Sequence, residues 1–127
     1  MGRPSRQGSL VKLPGYTPAQ GDLVWLDFSP QAGHEQSGRR PALILSPIAY
    51  NKRTGLALVC PLTRQAKGYP FEVELPADLP VAGVILSDHL KSQDWQARRA
   101  EFIACLDATT LGAVLQRART LLSNEES

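Results

Sequence analysis

Short apolar runs separated by polar loops rich in Gly and Pro make up most of the chain between residues 21 and 106. Runs of this length, rich in β-branched and aromatic residues, are typical of strands. They predict six strands, at residues 23–28, 41–46, 56–62, 69–75, 83–90 and 101–106. In the fourth run, apolar residues alternate with Glu72 and Glu74, which indicates a strand with one buried face.

The residues after 106 follow a different period. Asp107 is a typical N-cap, and the apolar residues after it recur at the spacing of an amphipathic helix, at Leu111, Val114, Leu115, Ala118, Leu121 and Leu122. Arg117 and Arg119 lie near the end of this segment, where the helix dipole favours cations. The pattern predicts one C-terminal helix, whereas residues 47–55 have the composition of a loop.

Many short strands followed by one helix predict a mainly β, α+β domain, in which a small antiparallel barrel is closed on one side by the helix. The strand spacing is also compatible with an OB-like barrel or a small open sandwich. We expect a flexible lead-in at residues 1–20, one domain at residues 21–122 and a frayed tail at residues 123–127. A chain of 127 residues has room for one modest core, so burial against a partner subunit would be unsurprising.

Cysteine usage and hydropathy indicate the cellular location of the protein. Cys60 and Cys105 lie in apolar runs, and we predict that both point into the core rather than form a disulfide framework. The sequence has no signal-peptide pattern and no apolar run long enough to cross a bilayer. We therefore expect a soluble cytoplasmic protein.

The charge is small overall but unevenly distributed. A net charge of +2 does not by itself indicate a nucleic-acid partner. Residues 36–71, however, contain no Asp or Glu and six basic residues: Arg39, Arg40, Lys52, Arg53, Arg64 and Lys67. A single acid, Glu35, precedes the first arginine pair. A polyanion would bind such a surface, and a carboxylate at its edge is suited to general base catalysis.

Common catalytic motifs are missing from the sequence. His34 and His89 are far apart, and there is no CxxC, paired-carboxylate, Walker, GxGxxG or Gly-x-Ser-x-Gly motif, so we predict no metal and no cofactor. The remaining candidates suit RNA cleavage by the ribose 2′-hydroxyl. A carboxylate such as Glu35 takes the proton, and arginines stabilise the charge on the five-coordinate phosphorane. The hydroxyl of Thr63 adds a neutral donor.

Each of these residues also has a simpler explanation. Glu35 and the arginines could form a loop ion pair of about 0–1 kcal/mol, and Thr63 could be an ordinary strand-end hydroxyl. Trp25, Tyr69 and Phe71 are more typical of a core or an interface than of base-stacking surfaces, although exposed aromatics do stack on bases. Local composition alone leaves these choices open.

Longer runs of sequence resemble a known family. The runs are residues 21–30 (GDLVWLDFSP), 33–42 (GHEQSGRRPA), 45–51 (LSPIAYN), 61–63 (PLT), 67–73 (KGYPFEV) and 87–92 (SDHLKS) with Trp95. In this order they closely resemble the MazF/PemK family of toxin endoribonucleases, also called mRNA interferases, over residues 21–122. Any one run alone would be a weak signal.

The resemblance implies an SH3-like barrel of the MazF/CcdB type with a C-terminal helix, acting as a homodimer. It implies metal-independent cleavage of single-stranded RNA at short motifs, which inhibits translation. The products would carry a 2′,3′-cyclic phosphate (or 3′-phosphate) and a 5′-hydroxyl. A cognate MazE-like antitoxin would lay an acidic segment over the basic grooves, and toxin and antitoxin together would bind DNA.

By position in these runs, the resemblance assigns catalytic roles to Glu35, Arg40 and Thr63, although members differ in whether they use the glutamate. It places Gln36, Asn51 and Lys67 along the RNA channel, and the basic stretch adds Arg39, Lys52 and Arg64 as RNA contacts. Arg39 stands where a well-known member has His, and no role follows for residues 1–20.

Two other functions are compatible with the same barrel. One is a non-catalytic toxin that binds a protein target, as gyrase poisons do. The other is a general single-strand binder, whose affinity would fall steeply with salt. A carboxylate beside two arginines argues against the first, because a pure binder does not need it.

Overall fold

The computed structural model describes residues 15–28 and 38–124 of the chain. Its elements in chain order are β1 (Asp22–Asp27), β2 (Arg39–Ile44), α1 (Ile48–Thr54), β3 (Leu56–Thr63), β4 (Glu72–Glu74), β5 (Val84–Leu86), β6 (Lys91–Asp94), β7 (Glu101–Cys105) and α2 (Ala108–Thr120). Every pairing between these strands is antiparallel.

The longest strand, β3, organises the sheet. The strand order is β4-β5-β3-β2-β1-β7, and β6 also pairs with β3. The first half of β3 pairs with β6 and its last residues pair with β5, while β2 lies along its other edge. Within the described chain β4 and β7 do not pair, so the sheet is barrel-like but not closed. The predicted mainly antiparallel fold with a C-terminal helix is confirmed.

Both faces of the central strands are buried, which explains why they read as continuous apolar runs. In β1, Leu23 belongs to one apolar cluster, whereas Val24 and Leu26 belong to another. Successive side chains of a strand point to opposite faces, so a run without alternation fills two cores at once. Helix α2 covers the first cluster with Val114 and Ala118, and Trp95 belongs to the second.

The helix α2 begins as the sequence predicts. The N–H of Thr110 donates to the carboxylate of Asp107 at 2.9 Å, which confirms Asp107 as the N-cap. This bond, together with the one from the Thr110 hydroxyl, lowers the pKa of Asp107 below its ordinary value. An N-cap of this type stabilises a helix by about 1 kcal/mol.

Several element predictions need correction. Residues 47–55, predicted as a loop, contain the helix α1, whose seven residues bury only Asn51 and so show no amphipathic period. The polar strand β6 (KSQD) was missed because it carries no apolar alternation. The strands predicted at 69–75 and 83–90 shorten to β4 and β5.

The chain packs onto the domain earlier than the boundary expected at residue 21. The Tyr16 ring lies edge-on to Phe102 with centroids 6.0 Å apart, and Ala19 is buried. Cys60 is buried as predicted, and burial raises the pKa of its thiol to about 12. Cys105 is exposed, contrary to the prediction, because it lies at the end of β7. Among the described residues, neither helix is long and apolar enough to span a membrane.

Candidate active site

An open cleft of about 640 Å³ lies where the end of β3 meets β1, β2 and the connection between β4 and β5. It is lined by Trp25, Arg40, Pro41, Leu62, Thr63, Arg64, Gln65, Pro80, Val81 and Ala82. Two of the three predicted catalytic residues, Arg40 and Thr63, therefore share one cleft although they are distant in sequence.

Strand register explains why Arg40 and Thr63 meet. Strand β2 pairs with β3 from Ala42 opposite Pro61 to Ile44 opposite Val59. The same register, continued toward the start of β2, places Arg40 opposite Thr63. The side chain of Arg40 is exposed and that of Thr63 is half-buried, so a guanidinium and a hydroxyl face the same space.

The hydroxyl of Thr63 is oriented by its own turn. The backbone N–H of Gln65 donates to Thr63 Oγ1 at 3.2 Å. Because the oxygen accepts this bond, its own proton can be donated to a group in the cleft. Thr63 is thus suited to act as a neutral hydrogen-bond donor toward an anion.

A glycine allows the far wall of the cleft to pack against Thr63. Gly83 has φ +128°, and a Cβ built there would lie 2.3 Å from the carbonyl oxygen of Thr63. No side chain fits at that distance, so only glycine permits this close approach. The contact positions residues 80–82, which directly precede Gly83, at the edge of the cleft.

The neighbouring Arg39 has a different environment from Arg40. Consecutive residues of a strand point to opposite faces. The guanidinium of Arg39 lies 2.9 Å from Asp27 Oδ1 and 3.1 Å from Glu101 Oε1, and it donates to the carbonyl of Arg99 at 2.7 Å. Arg39 is not among the residues lining the cleft. Arg39, which was predicted to contact RNA, therefore lies outside the cleft that Arg40, Thr63 and Arg64 line.

Asp27 is the centre of this second cluster. Its carboxylate also accepts from Arg99 Nε at 2.8 Å. The hydrogen bond from Arg99 and the one from Arg39 hold the pKa of Asp27 below its ordinary value, although burial opposes the shift. Arg98 donates to the carbonyls of Asp27 at 2.9 Å and Phe28 at 3.2 Å. The end of β1 is thus held by three arginines.

Asn51 does not join the cleft. It is fully buried, and its amide donates to the carbonyls of Pro18 at 2.8 Å and Ser46 at 3.0 Å. Its amide oxygen accepts from the Ser46 hydroxyl. The side chain is committed to linking α1 with the N-terminal segment, so it is not available for the predicted RNA contact.

Of the remaining predicted RNA contacts, the structure places only Arg64 in the lining of the cleft. Lys67 lies exposed a few residues further along the same segment. Lys52 is exposed on α1 and does not line the cleft. Glu35 and Gln36 lie outside the described residues. Among the described residues, no group of three or more His, Cys, Asp or Glu is arranged to hold a metal ion.

Sequence reasoning missed part of the cleft lining. Trp25, which the sequence assigned to a core or interface, lies opposite Pro41 in the register of β1 and β2 and borders the cleft. Gln65 also lines the cleft, and its position between the predicted RNA contacts Arg64 and Lys67 could have indicated this. The wall at residues 80–82 carries no polar side chain and gave no signal in the sequence.

The comparisons with known proteins agree with this fold. Residues 19–122 match the family described as PemK-like, MazF-like toxin of type II toxin-antitoxin system. The chain is 53% identical over 85 residues to the endoribonuclease toxin MazF of Escherichia coli K12, covering 67% of this chain and 76% of the relative. It is 33% identical over 108 residues to the Escherichia coli endoribonuclease PemK, covering 82% of this chain and 81% of PemK.

Solved structures give the same result. A MazF structure from Deinococcus radiodurans is 60% identical, with a TM-score of 0.77, covering 84% of this chain and 97% of the other. A MazE–MazF structure from the same organism is 58% identical, with a TM-score of 0.81, covering 87% and 99%. The chain belongs to the PemK-like, MazF-like family of toxins of type II toxin-antitoxin systems.

Proposed function

We propose that this protein is the endoribonuclease toxin of a toxin-antitoxin pair, and that it cuts single-stranded RNA in the cytoplasm by attack of a ribose 2′-hydroxyl on the adjacent phosphate. The observation that carries the proposal is the presence of Arg40 and Thr63 in one open cleft. The relationship to curated endoribonucleases supports the same reaction class.

In the proposed reaction, the bond between the 2′-oxygen and phosphorus forms while the bond from phosphorus to the 5′-oxygen breaks. Negative charge grows on the two free phosphate oxygens. Arg40 donates N–H bonds to them, since no described carboxylate forms a salt bridge with it. A donor fixed where charge develops lowers the barrier without reorganising during the reaction.

Thr63 adds a second, neutral donor. Its hydroxyl oxygen already accepts from Gln65, so the hydroxyl proton can point to a phosphate oxygen. Glu35 takes the proton of the 2′-hydroxyl. Arg40 hydrogen-bonds to the departing 5′-oxygen, and that oxygen takes its proton from a water molecule to become the 5′-hydroxyl. The products are a 2′,3′-cyclic phosphate and a 5′-hydroxyl, and hydrolysis of the cyclic product gives a 3′-phosphate.

The test uses an RNA oligonucleotide and the same oligonucleotide with one 2′-deoxy residue at the cut site, both in EDTA. We expect cleavage of the first and none of the second at that position. Cleavage that requires added metal, or that persists after the deoxy substitution, would show that the proposed reaction is wrong.

Matched variants separate catalysis from folding. Arg40→Ala and Thr63→Val should both lose cleavage while keeping their thermal unfolding transition. Arg119→Ala removes an exposed arginine of α2 that does not line the cleft, and it should cut like the unaltered protein. Toxicity that survives Arg40→Ala and Thr63→Val would instead favour a non-catalytic toxin.

We also propose a homodimer and a cognate MazE-like antitoxin as partners. Support comes from the small size of the chain and from the solved MazE–MazF structures it resembles. The exposed cations Arg64 and Lys67 would attract an acidic antitoxin segment, and the toxin-antitoxin pair would bind DNA. Sedimentation at micromolar concentration that shows only monomer would remove the dimer from this proposal.

A further inference from the structure

The most exposed aromatic side chain among the described residues belongs to the segment that follows Arg64, a residue of the cleft lining. Tyr69 is 62% exposed, more than any other large hydrophobic residue described except Leu122. It belongs to the segment of residues 64–71, which leaves the cleft at Arg64 and continues through the exposed Lys67. A segment that exposes one aromatic ring and two cations has the composition of a single-strand binding surface.

Hydrogen bonds between Glu72 and residues 67–69 hold the backbone of this segment in place. The carboxylate of Glu72 accepts from the N–H of Lys67 at 3.1 Å and from the N–H of Gly68 at 2.9 Å. The N–H of Glu72 donates back to the carbonyl of Tyr69 at 3.1 Å. Gly68 has φ +81°, a conformation that suits glycine and turns the chain before the tyrosine.

The helix α2 also contacts this segment through Arg117. Arg117 Nε donates to the carbonyl of Pro70 at 3.0 Å, and Arg117 Nη1 donates to the carbonyl of Ala113 at 3.1 Å. Pro70 further restricts the backbone next to Tyr69. The ring of Tyr69 is therefore carried on a braced segment, and a preorganised aromatic surface loses little conformational entropy when it binds.

We propose that Tyr69 is a stacking platform for an unpaired base of the bound strand, next to the backbone-binding cations Arg64 and Lys67. The proposal rests on the proposed function, since it assumes that a single strand occupies the cleft. Tyr69 lies five residues after Arg64, which spans at most about 18 Å of extended chain, so the base lies within a few nucleotides of the cut. Stacking uses the π-face that every base has, so this contact adds affinity without selecting a sequence.

The test measures binding of oligodeoxythymidylate, which lacks the 2′-hydroxyl and so remains uncut. A second probe is an oligomer of the same length with abasic sugars throughout. Tyr69→Ala should weaken binding of the first probe by roughly 5- to 100-fold, the contribution of one stacked base. It should leave binding of the abasic probe unchanged. Tyr69→Phe keeps the ring and should bind both probes as the unaltered protein does.

Two controls make the result specific. Tyr50→Ala removes another exposed tyrosine, 41% exposed on α1, and should not change either affinity. Lys67→Ala should weaken binding of both probes, because it removes a contact to phosphate rather than to a base.

Three outcomes would overturn the proposal. Tyr69→Ala could leave both affinities unchanged, or it could weaken both probes equally, which would indicate a structural role. It could also change the oligomeric state in sedimentation, which would assign the ring to an interface between copies of this chain. Failure of stacking is distinguishable from failure of the proposed function, because the unaltered protein would still cut RNA.

Discussion

The two faces of β2 carry cations in opposite environments. On one face Arg39 lies between Asp27 and Glu101, and on the other Arg40 lines an open cleft with Thr63. Both arginines belong to a stretch of sequence without any acid, yet among the described residues only Arg39 is paired with carboxylates. The difference shows that the availability of a cation depends on acids brought near by pairing strands, not on acids nearby in sequence.

The largest expected effect is the loss of RNA cleavage when Arg40, on the cleft side of β2, is removed. Arg40→Ala should lower the rate of RNA cleavage by about 10²–10³, the loss typical of one donor to developing charge. Arg39→Ala should leave the single-turnover rate near that of the unaltered protein while lowering its stability, because Arg39 contacts only protein acids and carbonyls among the described residues. Single-turnover assays and thermal unfolding of both variants check this. Equal rate losses would mean that Arg39 also acts in the site.

The next effect concerns the wall behind Thr63. Gly83→Ala places a Cβ 2.3 Å from the Thr63 carbonyl at a positive φ, so the wall or the strand end must move. We expect a loss of about 2–4 kcal/mol in the free energy of unfolding, together with slower cleavage. Denaturant unfolding measures the loss.

Gly112→Ala is the matched control for that substitution. Gly112 lies in α2 with no atom within 4 Å of an added Cβ, so the same change should stabilise the protein by about 0.5–1 kcal/mol. If Gly83→Ala is as stable as Gly112→Ala, the close approach to Thr63 does not exist in solution.

A smaller effect on stability is expected from Asp27, which pairs with Arg39 on the other side of β2. The pKa of Asp27 is lowered in the folded protein, so its ionised form contributes stability above the unfolded-state value of about 3.9, and this is lost as pH falls through the folded value. Asp27→Asn should cost on the order of 1 kcal/mol at pH 7. The difference from the unaltered protein should vanish in strong acid, as measured by urea unfolding at both pH values.

The exposed Asp78 provides the control for the pH experiment. Asp78→Asn should change stability little at either pH, because no ion pair holds Asp78 among the described residues. A cost of Asp27→Asn that does not depend on pH would show that the arginines do not stabilise the charged form.

The smallest expected effect is on the salt dependence of nucleic-acid binding. Each cation that contacts phosphate contributes about 0.7 to the slope of log affinity against log salt for a single strand. Arg64→Ala and Lys67→Ala should each reduce that slope by about this amount, whereas Arg39→Ala should leave it unchanged. Titrations of an uncut oligodeoxythymidylate at several salt concentrations measure the slopes. A reduced slope for Arg39→Ala would place Arg39 on the binding surface.

Much of the fold was predictable because β1 and β3 bury most of their side chains, and β2 its apolar second half, so these strands keep a strong apolar signal. The polar strand β6 and the short helix α1 were not predictable, because their structure depends on partners elsewhere in the chain. Arg40 and Thr63, which line the cleft, were proposed as site residues from local motifs. The burial of Asn51 was not predictable, because it comes from contacts with Pro18 and Ser46.

The amino-acid sequence by itself determined the family, the C-terminal helix and the residue types of the proposed catalytic pair, because these depend on local motifs and periodicity. Only the tertiary structure decided which cations the described carboxylates leave unpaired, that Gly83 must be glycine, and that Tyr69 is exposed on a braced segment. These properties depend on distances between residues far apart in the chain, and such distances are set by strand register and packing.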